Sequence, residues 1–333
     1  MRFEYYHAGL DDVRKLSVDG TVSNSVHFSH WEGNHTPPAV KADTSTEIAL
    51  NLVASPERER LTEGLELVTN NHFDTDGVLS VWTVMTGERA LELREKLIAA
   101  AEAGDFSEYS SRDGVRASIV IQGSDAPIPG ADAGSPLARH LGGDAAIDEE
   151  RSYELILPEV LRVLTRTDGY EFLWRDVWQR IEEAMESFAR GESKVEEDAA
   201  TGLSVVTLAP GLYGSHGFSP VRHSAPFTTI SAHARGQVFL IALPMMEGWS
   251  YRVDYPYYSW AETVVRPRIE QRDFAPLIIR LNELEQRESG KGSAPGRWAL
   301  DRSEMTSAVK FMDRTGMLSA STLAPQTVAE ELR

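Results

Sequence analysis

The chain has no cysteine. That removes disulfides, thiolate-held metals and cysteine nucleophiles together. Any metal must then rest on His, Asp, Glu, Asn or water. Positive charge is scarce: 33 Lys and Arg stand against 51 Asp and Glu, a net charge of −18. A surface this acidic repels a phosphate backbone and argues against duplex nucleic acid as a partner. A small anion remains admissible, because a bound cation dominates the field of its own pocket. Long apolar runs are missing as well. No run of about 18 apolar residues occurs, which excludes a helical membrane span and a membrane partner of that kind. Met1 to His7 lacks the apolar core of a secretory signal, so the expected compartment is the cytoplasm. Internal repeats, a phosphate-loop lysine motif, a dinucleotide fingerprint and a Gly-x-Ser-x-Gly elbow are all absent.

What is present is ordinary globular composition, with 41% hydrophobic and 25% charged residues over 333 positions. That length favours two domains. The acid excess is uneven: residues 1–150 carry 12 Lys and Arg against 26 Asp and Glu (net −14), and the remainder 21 against 25 (net −4). The pattern predicts an α/β protein. Residues 1–125 form a mainly parallel-sheet domain with a candidate metal site, 126–150 a Gly-, Ala-, Asp- and Pro-rich loop or linker, and 151–333 a C-terminal α+β domain or cap. Strands are expected at 22–29 and 65–70. Helices are expected at 44–54, with a Thr44/Glu47 capping box, at 78–86 and at 87–103, where Gly104 stops the last. Further on, helices are expected at 153–166, 170–190, 273–287 and 303–315, and strands at 203–208, 236–243 and 249–254. The stretches 191–202 and 288–296 read as loops, and the tail from about 318 as frayed.

The most informative segment is Asn71-His72-Phe73-Asp74-Thr75-Asp76-Gly77-Val78-Leu79-Ser80. On an extended segment, His72, Asp74 and Asp76 at spacing two share one face. Gathered carboxylates repel and call for a cation or protons. One imidazole with two carboxylates suits Mn²⁺, Co²⁺, Fe²⁺ or Zn²⁺, with Mg²⁺ reachable through the acids. Gly77 gives the backbone freedom to turn into the following helix. Without a metal, the same residues make an Asp-rich turn with Asp74 as a helix cap.

This stretch resembles the first motif of the DHH phosphoesterase superfamily, His-x-Asp-x-Asp-Gly-x-x-Ser. Upstream, Ser29-His30-Trp31-Glu32-Gly33-Asn34 and Asp43-Thr44-Ser45-Thr46-Glu47 are similar to that family's Asp-His-His block with its Asn and to its Ser-Thr-x-Glu helix start. Ser29 and Trp31 replace an acid and an imidazole, and the block precedes the His-x-Asp-x-Asp motif instead of following it. A circular permutation accounts for that order. The resemblance covers residues 22–110 at most. It implies divalent-metal-dependent hydrolysis of a phosphoester or phosphoanhydride in a small phosphorylated substrate or short oligonucleotide, with Mn²⁺ the first choice of cofactor and Mg²⁺ the second. His30, Asp74 and Asp76 become the catalytic candidates. His30, His72, Asp74, Asp76, Asp43 and Asp105 become the metal ligands. Asn34, Arg266, Arg268 and Arg297 become candidates for gripping the substrate, Arg being suited to bidentate phosphate contact. A homo-oligomer is left open.

Two other readings compete. Phe73-Asp74-Thr75-Asp76-Gly77-Val78-Leu79 also resembles the first motif of haloacid dehalogenase-type phosphatases, with Asp74 as nucleophile, Asp76 as general acid, Mg²⁺ as cofactor and Asp144 with Asp148 as a later acidic motif. The degraded Asp-His-His block also fits a non-catalytic relative that binds a ligand or partner. His27 and His35 flank His30 and could form an outer layer. His216, Arg222, His223, His233 and Arg235 could line a pocket. The aromatic run Trp249, Tyr251, Tyr255, Tyr257, Tyr258 and Trp260 is expected to be packing.

Overall fold

Four short strands lie side by side in the first half of the chain. The computed structural model describes residues 1–123, 134–143, 146–210, 212, 226–288, 296–301 and 308–333. Strands β1 (Arg2–Phe3), β2 (Lys15–Val18), β3 (Ser25–Phe28) and β4 (Leu67–Thr69) form an all-parallel sheet in the order β1-β4-β2-β3. β2 and β4 are buried along their whole length, as central parallel strands are. β2 and β3 run parallel although only residues 19–24 join them, so this link must double back along the strand. Asp19 and Asn24 take positive φ values of 64° and 48° at its two ends. Asp and Asn tolerate that left-handed region better than other non-glycine residues.

Helix α1 (Ser45–Ala54) starts where its cap predicts: the Thr44 side chain accepts the Glu47 N–H. After the single turn α2 (Arg58–Leu61) come α3 (Thr75–Thr86), α4 (Arg94–Phe106) and α5 (Arg112–Gln122). Gly104 does not stop its helix. It lies inside α4, where an added Cβ would sit 2.6 Å from Thr75 Cβ, so its role is to let α4 approach the start of α3. The stop comes at Ser107, the left-handed C-cap. α5 was not among the expected elements. Its Val115 and Ile119 are fully buried, and the Arg116 guanidinium lies over the rings of Trp174 and Trp178, at 3.9 and 4.5 Å.

Helices α6 (Leu137–Leu141), α7 (Glu149–Ile156), α8 (Val160–Thr165) and α9 (Glu171–Ala189) follow. The chain divides into two compact units, Met1–Trp178 with Trp260–Arg268, and Gln179–Ser259 with Ile269–Arg333. The division therefore falls within α9 and not at 126–150, because α8 packs on α5 and Arg116 ties the first half of α9 to it.

The second unit is built on a six-stranded mixed sheet, β5 (Lys194–Asp198), β6 (Leu203–Thr207), β7 (Val238–Met245), β8 (Gly248–Asp254), β9 (Arg297–Asp301) and β10 (Ala308–Met312), in the order β5-β6-β7-β8-β10-β9. β6 and β7 pair parallel and the other neighbours antiparallel. Its described helices are the part of α9 from Gln179 on, α10 (Phe227–His233), α11 (Ala275–Glu288) and α12 (Pro325–Leu332). Three expectations are corrected here. β5 occupies part of the expected loop at 191–202. The expected helix at 303–315 contains strand β10, whose Val309 and Phe311 enter the core while Lys310 pairs with Asp301, a period of two. The tail is also ordered: Leu323, Val328, Ala329 and Leu332 complete the core with Leu277 and Leu281. Tyr251 and Tyr255 are in that same core, with Trp249 and Tyr258 packed against it.

Candidate metal centre

The candidate residues follow the carboxyl ends of the parallel strands, the place where open α/β sheets bind ligands. Asp19 directly follows β2, His30 comes just after β3, and the 70–76 turn follows β4. Asp74 caps α3 by accepting the Gly77 N–H at 2.7 Å, and Asp76 lies in the first turn. His72, Asp74 and Asp76 are thus spread around a helix start and do not share the face of an extended segment. Gly77 also serves differently from the expected turn. An added Cβ would meet Asn70 Nδ2 at 2.3 Å and the Tyr153 hydroxyl at 2.8 Å, so the position demands space. Tyr153 in turn holds the turn in place, donating to the His72 carbonyl at 3.1 Å and accepting from Asn70 Nδ2 at 3.0 Å.

Two sets of donor atoms result. Asp19, His30, Asp76 and Asp105 form a fully buried group, and Asp19, His72 and Asp74 form a second, more open one, the donors of each lying within 4.8 Å of one another. Asp19 belongs to both. His30 Nε2 is 3.2 Å from Asp105 Oδ2, 3.4 Å from Asp19 Oδ1 and 3.8 Å from Asp76 Oδ2. His72 Nε2 is 2.9 Å from Asp19 Oδ2 and 3.1 Å from Asp74 Oδ2. Proximity is not hydrogen bonding here: both Asp19 oxygens, His30 Nε2 and His72 Nε2 are buried without a hydrogen-bond partner. Buried polar atoms are rarely left in that condition. His30 Nε2 faces one Asp19 oxygen in the buried group and His72 Nε2 faces the other in the open group, and a cation in each group would satisfy them. The residues therefore fit a divalent metal.

The electrostatics agree. Burial alone would pull the His30 imidazole down, but the close Asp105 carboxylate, with the charges of Asp76 and Asp19, lifts it to about 10. Burial and the Asp19 charge push Asp76 up to about 7 against the opposing pull of His30. Burial, with the charges of Asp74 and Asp76, raises Asp105 well above the carboxylate range. Burial would likewise raise Asp19, but His72 and His30 outweigh it and hold the carboxyl low. Burial lowers His72 less than Asp74 and Asp19 raise it. Without metal, protons do the neutralising. Asp76 is braced by the start of α1: its two oxygens accept the N–H groups of Ser45 and Thr46, both at 2.7 Å.

Five of the six expected ligands, His30, His72, Asp74, Asp76 and Asp105, come together. Asp43 does not join them. Its carboxylate is consumed by the N–H groups of Val264, Val265 and Arg266 and by the Arg266 guanidinium, and its carbonyl lies 2.7 Å from His30 Nδ1. Arg266 is bound to Asp43, Glu102 and Glu108, so it has no guanidinium face left over for a phosphate. Asn34 donates to the Trp31 carbonyl and to Glu262. Arg268 is exposed, and Arg297, on β9, belongs to the other unit. His27 and His35 stack on each other, with centroids 5.7 Å apart, and are in neither group. His233 stacks on Phe188. Asp144, His216, Arg222 and His223 lie outside the described residues.

Asp19 was missed. Its signal is present in Lys15-Leu16-Ser17-Val18-Asp19-Gly20, an Asp-Gly that ends a buried strand.

A family model covers residues 2–327. The chain belongs to the DUF6687 family. That is a family of unknown function, and the match extends over both units and both donor groups. No curated protein and no solved structure matches the chain.

Proposed function

We propose that this DUF6687 chain is a divalent-metal-dependent hydrolase that cleaves a phosphoester or phosphoanhydride in a small anionic substrate or short oligonucleotide. The observation that carries the reading is the set of four buried, hydrogen-bond-free donor atoms of Asp19, His30 and His72, which fall in two acid-rich groups that share Asp19. The donor chemistry, two imidazoles and four carboxylates, favours Mn²⁺, with Mg²⁺ next. Of the residues nominated by the resemblance to DHH phosphoesterases, the ligand candidates His30, His72, Asp74, Asp76 and Asp105 lie in the two donor groups with Asp19, while Asp43, Asn34, Arg266, Arg268 and Arg297 do not.

A bound divalent cation supplies a Lewis acid for a phosphoryl oxygen and a water acidified toward neutrality. The chain's own part is positional. Asp19 faces both imidazoles and would serve both donor groups. Asp76 is kept in place by two N–H groups at the positive end of α1. His72 and Asp74, with side chains 22% and 31% exposed, are the open side, where substrate arrives; His30, Asp76 and Asp105 form the closed floor. The described ion pairs of Asp19, Asp74, Asp76 and Asp105 are all with His30 or His72. Substrate charge is then neutralised chiefly at the cation.

Both Asp74 oxygens are engaged, one with the Gly77 N–H and one near His72. That favours a ligating Asp74 over the nucleophile of the haloacid dehalogenase-type reading.

The test is metal content by plasma mass spectrometry on the protein and on an Asp74→Ala/Asp76→Ala variant, followed by a Mn²⁺-supplemented screen of bis(p-nitrophenyl) phosphate, pyrophosphate and short oligonucleotides. Metal in the parent alone, with turnover of one substrate class, is the expected result. Metal without turnover moves the reading to a binding protein. No metal after soaking with Mn²⁺ overturns it.

A further inference from the structure

Residues 260–268 return to the first unit from far along the chain, and their contacts concentrate on the donor atoms' supports. The Glu262 N–H donates to the His30 carbonyl at 2.7 Å. The Glu262 carboxylate accepts from Gly33 N–H at 3.0 Å and Asn34 Nδ2 at 2.7 Å, holding the loop that follows His30. Trp260 stands edge-on to the His30 ring, with centroids 4.9 Å apart. From the other side, three successive N–H groups, Val264 to Arg266, fix the Asp43 carboxylate. Asp43 is the residue whose carbonyl meets His30 Nδ1. A carbonyl accepts and never donates, so Nδ1 must carry the proton, which directs Nε2 at the donor group.

The Arg266 guanidinium then spans two ligand supports. One nitrogen, Nη1, donates to Asp43 at 2.8 Å. Nε and Nη2 reach Glu108 at 2.9 and 2.6 Å, and Nη2 reaches Glu102 at 2.6 Å. Glu102 and Glu108 flank Asp105 at the C-terminal turn of α4, and the same guanidinium covers the Phe106 ring at 4.9 Å.

We infer that residues 260–268 are a positioning strap for the buried half of the metal centre, with Arg266 the residue that sets His30, through Asp43, and Asp105, through the end of α4. This rests on the metal-centre reading above. Arg266 and Asp43 are positioning residues, neither ligands nor substrate anchors. The strap makes no described contact with His72 or Asp74 and reaches His72 only through Trp31, which packs on both Trp260 and His72, so its direct support falls on one of the two donor groups.

That asymmetry supplies the test. Mn²⁺ is titrated into metal-stripped full-length protein while the free ion is followed by its electron paramagnetic resonance signal. Two sites are expected in the parent. In Arg266→Gln one site weakens by about 10–100-fold, the usual effect of losing an outer partner of a ligand, and the other is unchanged. Arg266→Lys, which keeps the charge and loses the fork, recovers part of the loss. Glu262→Gln provides a milder second variant, should Arg266→Gln not fold, and is expected to weaken the same site by less. Two sites within twofold of the parent in Arg266→Gln, or in Glu262→Gln if only that folds, overturn the strap and leave the metal centre standing. Equal weakening of both sites also overturns it, since a general loosening would do that. A parent that binds no Mn²⁺ overturns both.

Discussion

Asp19 Oδ2 lies 2.9 Å from His72 Nε2 while the other oxygen of the same carboxylate lies 3.4 Å from His30 Nε2. One side chain therefore faces both imidazoles, and it does so from a left-handed backbone at the end of β2. Asp19→Asn should remove metal from both donor groups, whereas Asp74→Asn should affect only the open one. Asn tolerates positive φ as Asp does, so the fold is expected to survive the change. Metal content with circular dichroism as a folding control checks this. An Asp19→Asn protein that keeps the parent's metal would show that the carboxylate is not shared.

The pH dependence of metal binding follows from groups that hold protons in the metal-free protein. His30 is lifted to about 10 and Asp76 to about 7. Both values exceed the usual ones, so at these two groups the folded, metal-free chain binds more protons than the unfolded chain. Their contribution to stability falls as pH rises, first as Asp76 ionises in the window from about 4 to 7 and then as His30 loses its proton between about 6.5 and 10. Metal displaces the same protons, so Mn²⁺ affinity should climb over pH 6–9. Thermal melts at stepped pH with and without Mn²⁺ should diverge toward alkaline pH. Parallel curves would contradict the assignment.

Gly104 is the point at which α4 and α3 meet. Gly104→Ala puts a Cβ 2.6 Å from Thr75 Cβ. Overpacking of this kind costs about 1–3 kcal/mol. Because Asp105 is the next residue, Mn²⁺ affinity should drop together with stability. A stabilised variant, as helix propensity alone would favour, would show that the close approach is not a constraint.

Lys15 is fully buried in β2, and its ammonium donates to the carbonyls of Leu10, Val13 and Ser23 at 2.6, 2.9 and 2.6 Å. Lys15→Met keeps the stem and strands three acceptors. A loss of about 1–3 kcal/mol is expected in denaturant titration, from unsatisfied buried groups. Because β2 leads directly into Asp19, metal binding should weaken as well.

The sequence carries much of this architecture where one local rule decides the outcome. Thr44 with Glu47 marks α1, and the His72–Asp76 spacing marks the richest part of the site. It is silent where tertiary partners decide. Gly104 reads as a stop because a glycine near a helix end normally is one; only the Thr75 contact keeps the helix going. Val309 and Phe311 fit a strand as soon as β8 and β9 lie on either side. Asp43 and Arg266 look like a ligand and an anion grip by residue type, yet they satisfy each other across a separation that no local pattern reveals. Asp19 hides in a common Asp-Gly pair, and its significance depends on β3 and β4 lying on either side of β2.

The return of residues 260–268 also sets a timetable. A chain leaving the ribosome can form the parallel sheet and gather Asp19, His30, His72, Asp74, Asp76 and Asp105 once α4 has emerged. The Asp43 carboxylate and the Glu102–Glu108 pair must then wait, charged and without Arg266, until most of the second unit has been made. Completion of the buried centre is thus postponed to a late moment in synthesis, and nascent chains halted before Arg268 would carry its ligands without their clasp.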